Sequence, residues 1–200
     1  MLLVGLTGGL GSGKSTVSRM LEERGAVVLD ADAFARDAVR AETPGFDRVA
    51  ARFGSEVIGP DGELDRAKLA GIVFNDETSL RDLEQIVHPE VRRMVEGGIS
   101  ANAATDNVVV LVNPLLIEMG THRDCDVVVV VSASPETQLE RVLARGMDRE
   151  DAEARMANQL PSDERAEHAD VLLDNDGDLA ALERQVDALW TELRRRSRAV

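Results

Sequence analysis

The residues best suited to chemistry lie near the N-terminus, in the stretch GLTGGLGSGKSTVS that begins at Gly5. Residues 8–15 fit the pattern GxxxxGK[ST], between a strand-like apolar run and a helical run. Glycines let the backbone turn its N–H groups inward as an anion-binding nest, and the dipole of the following helix adds positive potential. The stretch therefore predicts a loop that binds the phosphates of a nucleoside triphosphate.

Each part of this phosphate loop has an expected task. Lys14 is expected to reach the β- and γ-phosphates, Ser15 to bind Mg²⁺ through its hydroxyl, and Thr16 to contact an α-phosphate. The backbone of four further residues should cradle the phosphates. These are Gly8, Gly11, Ser12 and Gly13.

Two carboxylates follow the second predicted strand, at 26–30. Ligands of an open α/β sheet sit at the carboxyl ends of its strands, so Asp30 and Asp32 should face the γ-phosphate. Asp32 could accept a hydroxyl proton while the phosphoryl group leaves ATP, and could orient Mg²⁺ through water. The alternative is that one of them caps a helix, and we favour that role for Asp30.

Arginines cluster in a helical region at 135–165. Arg141 and Arg145 stand four residues apart on one helix face, where like charges repel unless an anion lies between them. Arg149 and Arg155 add further positive charge. A mobile lid that closes arginines over a transferred group would stabilise its charge and exclude water. The alternative is an ordinary solvated helix surface.

Two other nucleotide-binding classes lack their motifs here. A GTPase switch needs Asn-Lys-x-Asp, and neither Lys14 nor Lys68 follows an asparagine. ABC or helicase-like ATPases end an apolar strand in a carboxylate. Here the run VVVLV (108–112) ends in Asn-Pro and VVVVV (127–131) ends in Ser-Ala.

The apolar pattern predicts an α/β fold of the P-loop type, with three layers around a mostly parallel five-stranded sheet. The expected strands are 2–7, 26–30, 107–112, 126–132 and 169–174, and the expected helices include 14–24 and 178–196. We divide the 200 residues into a core (1–32, 106–134 and 166–200), an inserted helical lobe (33–105) and a helical lid (135–165).

Composition limits the partners. The formal net charge of −14 disfavours nucleic acid, and no segment approaches the ~20 apolar residues of a membrane span. Cys125 is the one cysteine, so neither a disulfide framework nor a cysteine metal site is expected. No secretion signal is recognisable, and we expect a cytoplasmic protein. The oligomeric state is not readable, so monomer and weak homo-oligomer both stay open.

A series of further motifs resembles the dephospho-coenzyme A kinase family over essentially the whole chain. In chain order they are GLTGGLGSGKSTVS, LDADAFARDAV (29–39), FG (53–54), DG-x-L-DR (61–66), HP (88–89), PLLIE (114–118), RGM (145–147), Gln159 and ADVLLDNDGDLAALERQV (169–186). The resemblance implies transfer of the γ-phosphate of ATP, with Mg²⁺, to the ribose 3′-hydroxyl of dephospho-CoA, the last step of coenzyme A biosynthesis.

The resemblance also implies roles for single residues. Asp32 would be the catalytic carboxylate near the 3′-hydroxyl, assisted by Lys14 and by Arg145 as a lid arginine on the ATP phosphates. Asn175 would lie near the adenine. The acceptor pocket would be lined by Arg36, His88, Leu115 and Glu118. For His88 a helix cap, and for Glu118 a structural hydrogen bond, are the alternatives.

Two positions depart from the family pattern. The family usually has phenylalanine where Ile117 stands and an aliphatic residue where Asn113 stands, so substrate contact there is in doubt. Aromatic residues are also scarce, with four Phe, one Trp and no Tyr, so we expect arginine or aliphatic side chains, rather than a ring, to pack on the adenine.

Two alternatives remain at this point. Another P-loop metabolite kinase, such as a shikimate or gluconate kinase, would share the aspartate after the second strand. The inserted lobe of about seventy residues favours a longer, CoA-like acceptor. A nucleotide-binding regulatory protein without turnover is disfavoured by the position of Asp32.

Overall fold

The structure is a computed structural model, and it describes residues 1–73 and 75–198. Phe74, Ala199 and Val200 lie outside the described residues, and with them the last two positions of the predicted core.

Five short strands form one parallel sheet in the order β2-β3-β1-β4-β5. They are β1 (Leu2–Gly8), β2 (Val27–Asp30), β3 (Val108–Val112), β4 (Val127–Ser132) and β5 (Val171–Asp174). In the register, Val4 of β1 pairs with Val110 of β3 and with Val127 of β4. The predicted α/β fold with a five-stranded sheet is confirmed, and each strand begins or ends within two residues of its expected position.

Nine α-helices are described along the chain. They are α1 (Lys14–Glu23), α2 (Ala31–Asp37), α3 (Pro44–Phe53), α4 (Arg66–Val73), α5 (Glu77–Asn102), α6 (Pro135–Ala144), α7 (Arg149–Ala157), α8 (Ser162–Ala166) and α9 (Leu179–Ser197).

The sheet is buried because its strands are almost continuously apolar. On one face, alternate residues such as Val4, Val110 and Val129 pack with apolar side chains of α1 and α9. On the other face, residues such as Leu3 and Val128 are buried as well. A sheet with both faces covered leaves its strand ends as the accessible edge, where loops carry ligands.

The chain divides into two compact units. The first comprises Met1–Leu29 and Ala101–Val200, and it contains the sheet, α1 and the helices from α6 onward. The second comprises Asp30–Ser100. This unit has an apolar core of its own, which includes Val49, Phe53 and Val57.

Local signals explain how the second unit folds. Thr43 caps α3 by accepting a hydrogen bond of 3.1 Å from the N–H of Phe46, and Pro44 occupies the first turn. A turn at 59–62 is closed by a 3.0 Å bond from the N–H of Gly62 to the carbonyl of Gly59. Long helix α5 then runs through Pro89 without ending there.

The region predicted as a lid is helical, as expected. Ser134 caps α6 by accepting from the N–H of Thr137 at 3.3 Å, with Pro135 at the first position. Gly146 follows the end of α6 with φ of 88°, the left-handed conformation that commonly ends a helix. A second cap, Asp148, then begins α7.

Candidate active site

The phosphate loop joins the carboxyl end of β1 to the first turn of α1. Gly11 and Gly13 have φ of 75° and 102°, values that residues with a side chain rarely adopt. The carbonyl of Gly13 accepts the N–H groups of Thr16 and Val17, at 3.0 and 3.1 Å, so α1 begins directly from the loop. The loop thus leads directly into a helix N-terminus. The free N–H groups of a first helical turn form an anion-binding site.

Lys14 lies folded against this loop. Its Nζ donates hydrogen bonds of 2.7 Å to the carbonyl of Gly8 and 3.0 Å to the carbonyl of Gly9. The next residue, Ser15, is exposed in the first turn of α1. A cation and a hydroxyl therefore stand at the start of the helix, as a site for a triphosphate with a metal ion requires.

Helix α6 packs closely on the loop. A Cβ added to Gly9 would lie 2.6 Å from Oε1 of Gln138, and one on Gly11 would lie 2.5 Å from the carbonyl oxygen of Gln138. Gln138 is itself buried, and its Nε2 donates to the carbonyl of Ala133 at 2.7 Å. The glycines at these two positions therefore also make room for the lid region.

Asn175 braces the loop from β5. Its Nδ2 donates a buried hydrogen bond of 2.7 Å to the carbonyl of Ser12, and its own N–H bonds the carbonyl of Ser132 at 2.8 Å. A side chain on Gly13 would collide with the Asn175 amide. The DNDG turn and the glycine loop are therefore in direct contact.

The next residue, Asp176, ties the same turn to α6. Its carboxylate accepts from the N–H of Ser134 at 2.9 Å and from the hydroxyl of Ser134 at 2.9 Å. The N–H of Ser134 and the hydroxyls of Thr137 and Ser134 hold the pKa of the Asp176 carboxyl below its usual value. The Asp176 carboxylate is therefore ionised, and its bonds to Ser134 help to hold the neighbouring Asn175 beside the loop.

A cavity of about 160 Å³ opens between the loop and this turn. Gly13, Thr16, Asn175, Arg141 and Arg145 contribute to its lining. Arg141 donates from Nη2 to the carbonyl of Asn175 at 2.8 Å, whereas its buried Nη1 has no hydrogen-bond partner among the described residues. An unpartnered buried guanidinium nitrogen beside a phosphate loop suits an anionic or hydrogen-bonding ligand.

The other lid arginines behave differently. Arg145 is exposed at the end of α6 and borders the cavity. Arg149 pairs with Glu153 at 3.0 Å and Arg155 with Asp151 at 3.1 Å, each within its own helix and exposed. The solvated-surface alternative therefore fits Arg149 and Arg155, whereas it is wrong for Arg141.

Glu118 forms an ion pair with Arg165, a residue that the sequence did not single out. Arg165 is 1 % exposed, and its Nη2 donates to Oε1 of Glu118 at 3.0 Å. The same carboxylate oxygen accepts from the N–H of Leu160 at 3.3 Å. Burial alone would raise the pKa of Glu118, but hydrogen bonds from backbone and Arg165 outweigh it and keep the pKa below its usual value.

The PLLIE segment is therefore partly structural. The hydrogen-bond alternative for Glu118 is confirmed, and its contact with a substrate stays a prediction. Ile117 is buried, which gives it a packing role, and Asn113 accepts from the N–H of Leu115 at 2.9 Å. The side chain of Leu115 is exposed and available.

The predicted acceptor residues Asp32, Arg36 and His88 all lie in the second unit. Asp30 caps α2 by accepting from the N–H of Ala33 at 2.9 Å, so the cap alternative is confirmed for Asp30. Asp32 stands in the first turn of α2 and Arg36 in its last turn, both exposed. Their roles stay predictions.

His88 does not cap a helix, so that alternative is wrong. It lies exposed in the interior of α5, directly before Pro89. Proline usually ends a helix because it lacks an N–H and crowds the preceding turn, which is why a boundary was expected here. The helix instead continues to Asn102.

Two further features are absent from the described residues. They contain no group of three or more His, Cys, Asp or Glu side chains arranged to bind a metal ion. Within the same ranges, none of the helices has the length and hydrophobicity of a transmembrane span.

The fold and the site together define a class. A parallel sheet whose first strand leads through a glycine-rich loop into a helix, with an arginine-bearing helical segment after β4, is the architecture of a P-loop kinase. A family model for dephospho-CoA kinase matches residues 2–181. The chain is also 50% identical to the dephospho-CoA kinase of Streptomyces avermitilis over 194 residues. This alignment covers 96% of this chain and 94% of that relative. The chain belongs to the dephospho-CoA kinase family, whose members phosphorylate dephospho-CoA in the final step of coenzyme A biosynthesis.

Solved structures share the fold of this chain. The crystal structure of TT1252 from Thermus thermophilus is 39% identical and matches with a TM-score of 0.80, over 96% of this chain and 97% of that one. A shikimate kinase from Acinetobacter baumannii matches with a TM-score of 0.55 and 18% identity, over 98% of this chain and 94% of that one. The fold is thus shared with a kinase of another substrate, and the fold alone does not name the acceptor.

Proposed function

We propose that this protein transfers the γ-phosphate of ATP to the 3′-hydroxyl of the ribose of dephospho-CoA, giving CoA and ADP. The observation that carries the proposal is the phosphate loop in a chain of this family. Asn175 holds the loop at Ser12, and Lys14 folds back onto the carbonyl of Gly8. Kinase catalysis is mostly positioning and charge stabilisation, and this loop supplies both.

ATP fits the site through its phosphates. The backbone of Gly8, Gly11, Ser12 and Gly13 would cradle them, Lys14 would neutralise the β- and γ-phosphates, and Thr16 would contact the α-phosphate. The cavity beside Asn175 would take the adenine. Its lining contains Leu179 and Leu182 beside Arg141, which supports packing by aliphatic and guanidinium groups.

Mg²⁺ fits the same place by its coordination chemistry. This ion is usually held by one or two protein oxygens together with substrate phosphates and waters, so a dedicated acidic cage is unnecessary. The hydroxyl of Ser15 would be a direct ligand, and Asp32 would act through water. When bound, the ion neutralises charge on the phosphoryl oxygens.

Transfer itself would depend on Asp32 and Arg145. Asp32 follows β2 by two residues, and the carboxyl ends of parallel strands are where such sheets bind ligands. Its carboxylate would accept the proton of the 3′-hydroxyl as that oxygen attacks the γ-phosphorus. Arg145 would stabilise negative charge on the transferred group.

The acceptor would be bound by the remaining predicted residues. Arg36 and His88 offer donors for the phosphates of dephospho-CoA, and exposed Leu115 offers an apolar contact. Glu118 would contribute less directly, because its carboxylate already accepts from Arg165. In this proposal residues 33–105 form the acceptor lobe, residues 135–165 the lid, and the rest the ATP-binding core.

We also propose that the protein is cytoplasmic, does not bind membranes and works as a monomer or weak homo-oligomer. Its formal net charge of −14 disfavours binding to nucleic acid. Sedimentation of the purified protein, with and without DNA, tests the oligomeric state and the absence of nucleic-acid binding together.

The direct test is ADP release by the purified protein with Mg-ATP and a panel of acceptors. Dephospho-CoA should support release, whereas AMP, shikimate and gluconate should not. Release with one of the other acceptors alone would keep a kinase and reject this substrate. ATP binding without release on dephospho-CoA would contradict the proposed reaction and favour a regulatory nucleotide-binding role.

A further inference from the structure

One N–H of the phosphate loop is satisfied from the lid region. The N–H of Leu10 donates a hydrogen bond of 2.8 Å to Oε1 of Gln159, 149 residues later. Leu10 is a variable position of the loop pattern, and its neighbour Ser12 bonds back to the carbonyl of Gly9 at 3.2 Å. Gln159 is thus a second side chain from outside the loop that holds it, besides Asn175 at Ser12.

We infer that Gln159 is a positioning residue for ATP binding, which fixes the shape of the phosphate loop without touching the nucleotide. The inference rests on the proposed function, because it concerns the ATP site of that reaction. A backbone nest binds phosphate well only when its N–H groups already point inward. Holding Leu10 from the outside removes loop conformations in which they do not.

Gln159 can do this because the segment that carries it is itself anchored. We name residues 158–165 the lid-return segment. The N–H of Gln159 bonds the carbonyl of Met156 at 3.2 Å, and the N–H of Leu160 bonds Glu118 at 3.3 Å. At the other end, buried Arg165 bonds the same carboxylate at 3.0 Å.

A cavity of about 390 Å³ separates this segment from α6, with Gly9 of the loop on its wall. Gln138 crosses toward the segment with a 3.4 Å bond from Nε2 to the hydroxyl of Ser162. The bond from the N–H of Leu10 to Gln159 is a direct polar link between the loop and the lid-return segment. It lies beside this cavity.

The first test is hydrogen exchange of the Leu10 amide in the nucleotide-free protein, measured by NMR. Gln159→Leu removes the acceptor and should speed exchange of the Leu10 amide at least about 10-fold. Gln159→Glu keeps an acceptor oxygen and should leave that amide protected. Equal exchange in the wild type and Gln159→Leu would overturn the inference, whatever the activity of the enzyme.

The second test separates ATP from acceptor. Losing one hydrogen bond to a backbone group corresponds to a change of about 5- to 10-fold in an equilibrium constant. Gln159→Leu should therefore raise both the Kd and the KM for ATP by that factor, while the KM for dephospho-CoA changes less than about 2-fold. A general structural defect would raise both KM values together, and that result would contradict a positioning role.

The matched control is Asp170→Ala. Asp170 also accepts from a distant backbone N–H, that of Val128 at 2.7 Å, near the amino end of β4 and away from the loop. Asp170→Ala should destabilise the fold without changing the Kd for ATP. A rise in this Kd equal to that in Gln159→Leu would overturn the inference. The Kd for ATP is measured without acceptor, so it does not depend on phosphate transfer. If the wild type transfers no phosphate to dephospho-CoA, that result counts against the proposed function and not against the role of Gln159.

Discussion

The side-chain amide of Asn175 donates a 2.7 Å hydrogen bond to the carbonyl of Ser12, and so joins β5 to the phosphate loop across 163 residues. The bond is buried, and Asn175 is 7% exposed. Its position is fixed in turn by Arg141, which donates to the Asn175 carbonyl at 2.8 Å. The shape of the ATP site therefore depends on residues far from the glycine motif.

Asn175→Ala should weaken ATP binding. The substitution leaves the Ser12 carbonyl buried without its partner, at a cost of about 1–3 kcal/mol. We expect the Kd for ATP to rise about 10-fold, measured by titration calorimetry. The control is Asn107→Ala, which removes a 2.8 Å amide bond to Asn102 in the loop before β3 and should leave the Kd unchanged. Unchanged affinity in Asn175→Ala would reject the bracing role.

Asp32→Asn should reduce turnover far more than ATP affinity. The amide cannot accept the hydroxyl proton, and general-base catalysis typically contributes 10²- to 10⁴-fold. We expect kcat to fall by about that range and the Kd for ATP to change less than about 3-fold. Asp37→Asn, on the same helix and exposed, is the matched control. A variant that mainly loses Mg-ATP affinity would instead identify Asp32 as a metal-site residue.

Arg145→Ala and Arg149→Ala should differ. Arg145 borders the cavity beside the phosphate loop, whereas Arg149 is exposed and paired with Glu153. Removing a group that stabilises transition-state charge typically costs about 10²-fold in kcat. We expect that loss for Arg145→Ala in steady-state kinetics and less than a 2-fold change for Arg149→Ala. Equal kinetics in the two variants would mean that Arg145 is only a solvated lid residue.

Glu118→Gln should lower stability in a pH-dependent way. The folded pKa of Glu118 is lowered, so its stabilising effect is complete above the unfolded pKa of about 4.3 and is lost as the pH falls through the folded value. At pH 7 the variant should lose about 1–3 kcal/mol in free energy of unfolding, because buried Arg165 loses a charged partner.

Urea unfolding at a series of pH values tests this prediction. The gap in free energy of unfolding between the wild type and Glu118→Gln should narrow as the pH falls from the unfolded pKa of about 4.3 through the lower folded value, because the wild-type carboxyl then becomes protonated. Glu77→Gln breaks an exposed pair with Arg81 and should change stability by less than about 0.5 kcal/mol. A constant gap between the wild type and Glu118→Gln at every pH would show that ionisation of Glu118 does not matter.

The sheet could be predicted because its signals are local. Valine runs such as 108–112 and 127–131 need no partner to be recognised as buried strands, and glycines before Lys14 indicate a phosphate loop by themselves. The start of α6 was equally visible, since Ser134 and Pro135 form a helix N-terminus from neighbouring residues.

The braces of the site could not be predicted from such signals. Gln159 and Glu118 stand in motifs that the sequence shows, but their partners Leu10 and Arg165 come beside them only after the chain has folded. Arg141 and the carbonyl of Asn175 likewise meet only in the folded chain. The helix boundary expected at His88 was wrong because a local proline signal was overridden within a 26-residue helix.

The central claim is tested most directly by following the phosphate. Incubation with γ-³²P-ATP, Mg²⁺ and dephospho-CoA, followed by chromatography and phosphorus NMR of the product, reports both transfer and position. The account predicts labelled CoA with the phosphate on the ribose 3′-oxygen, and a loss of about 10³-fold or more in folded Lys14→Ala. Label released only as inorganic phosphate, or equal transfer by Lys14→Ala, would contradict it.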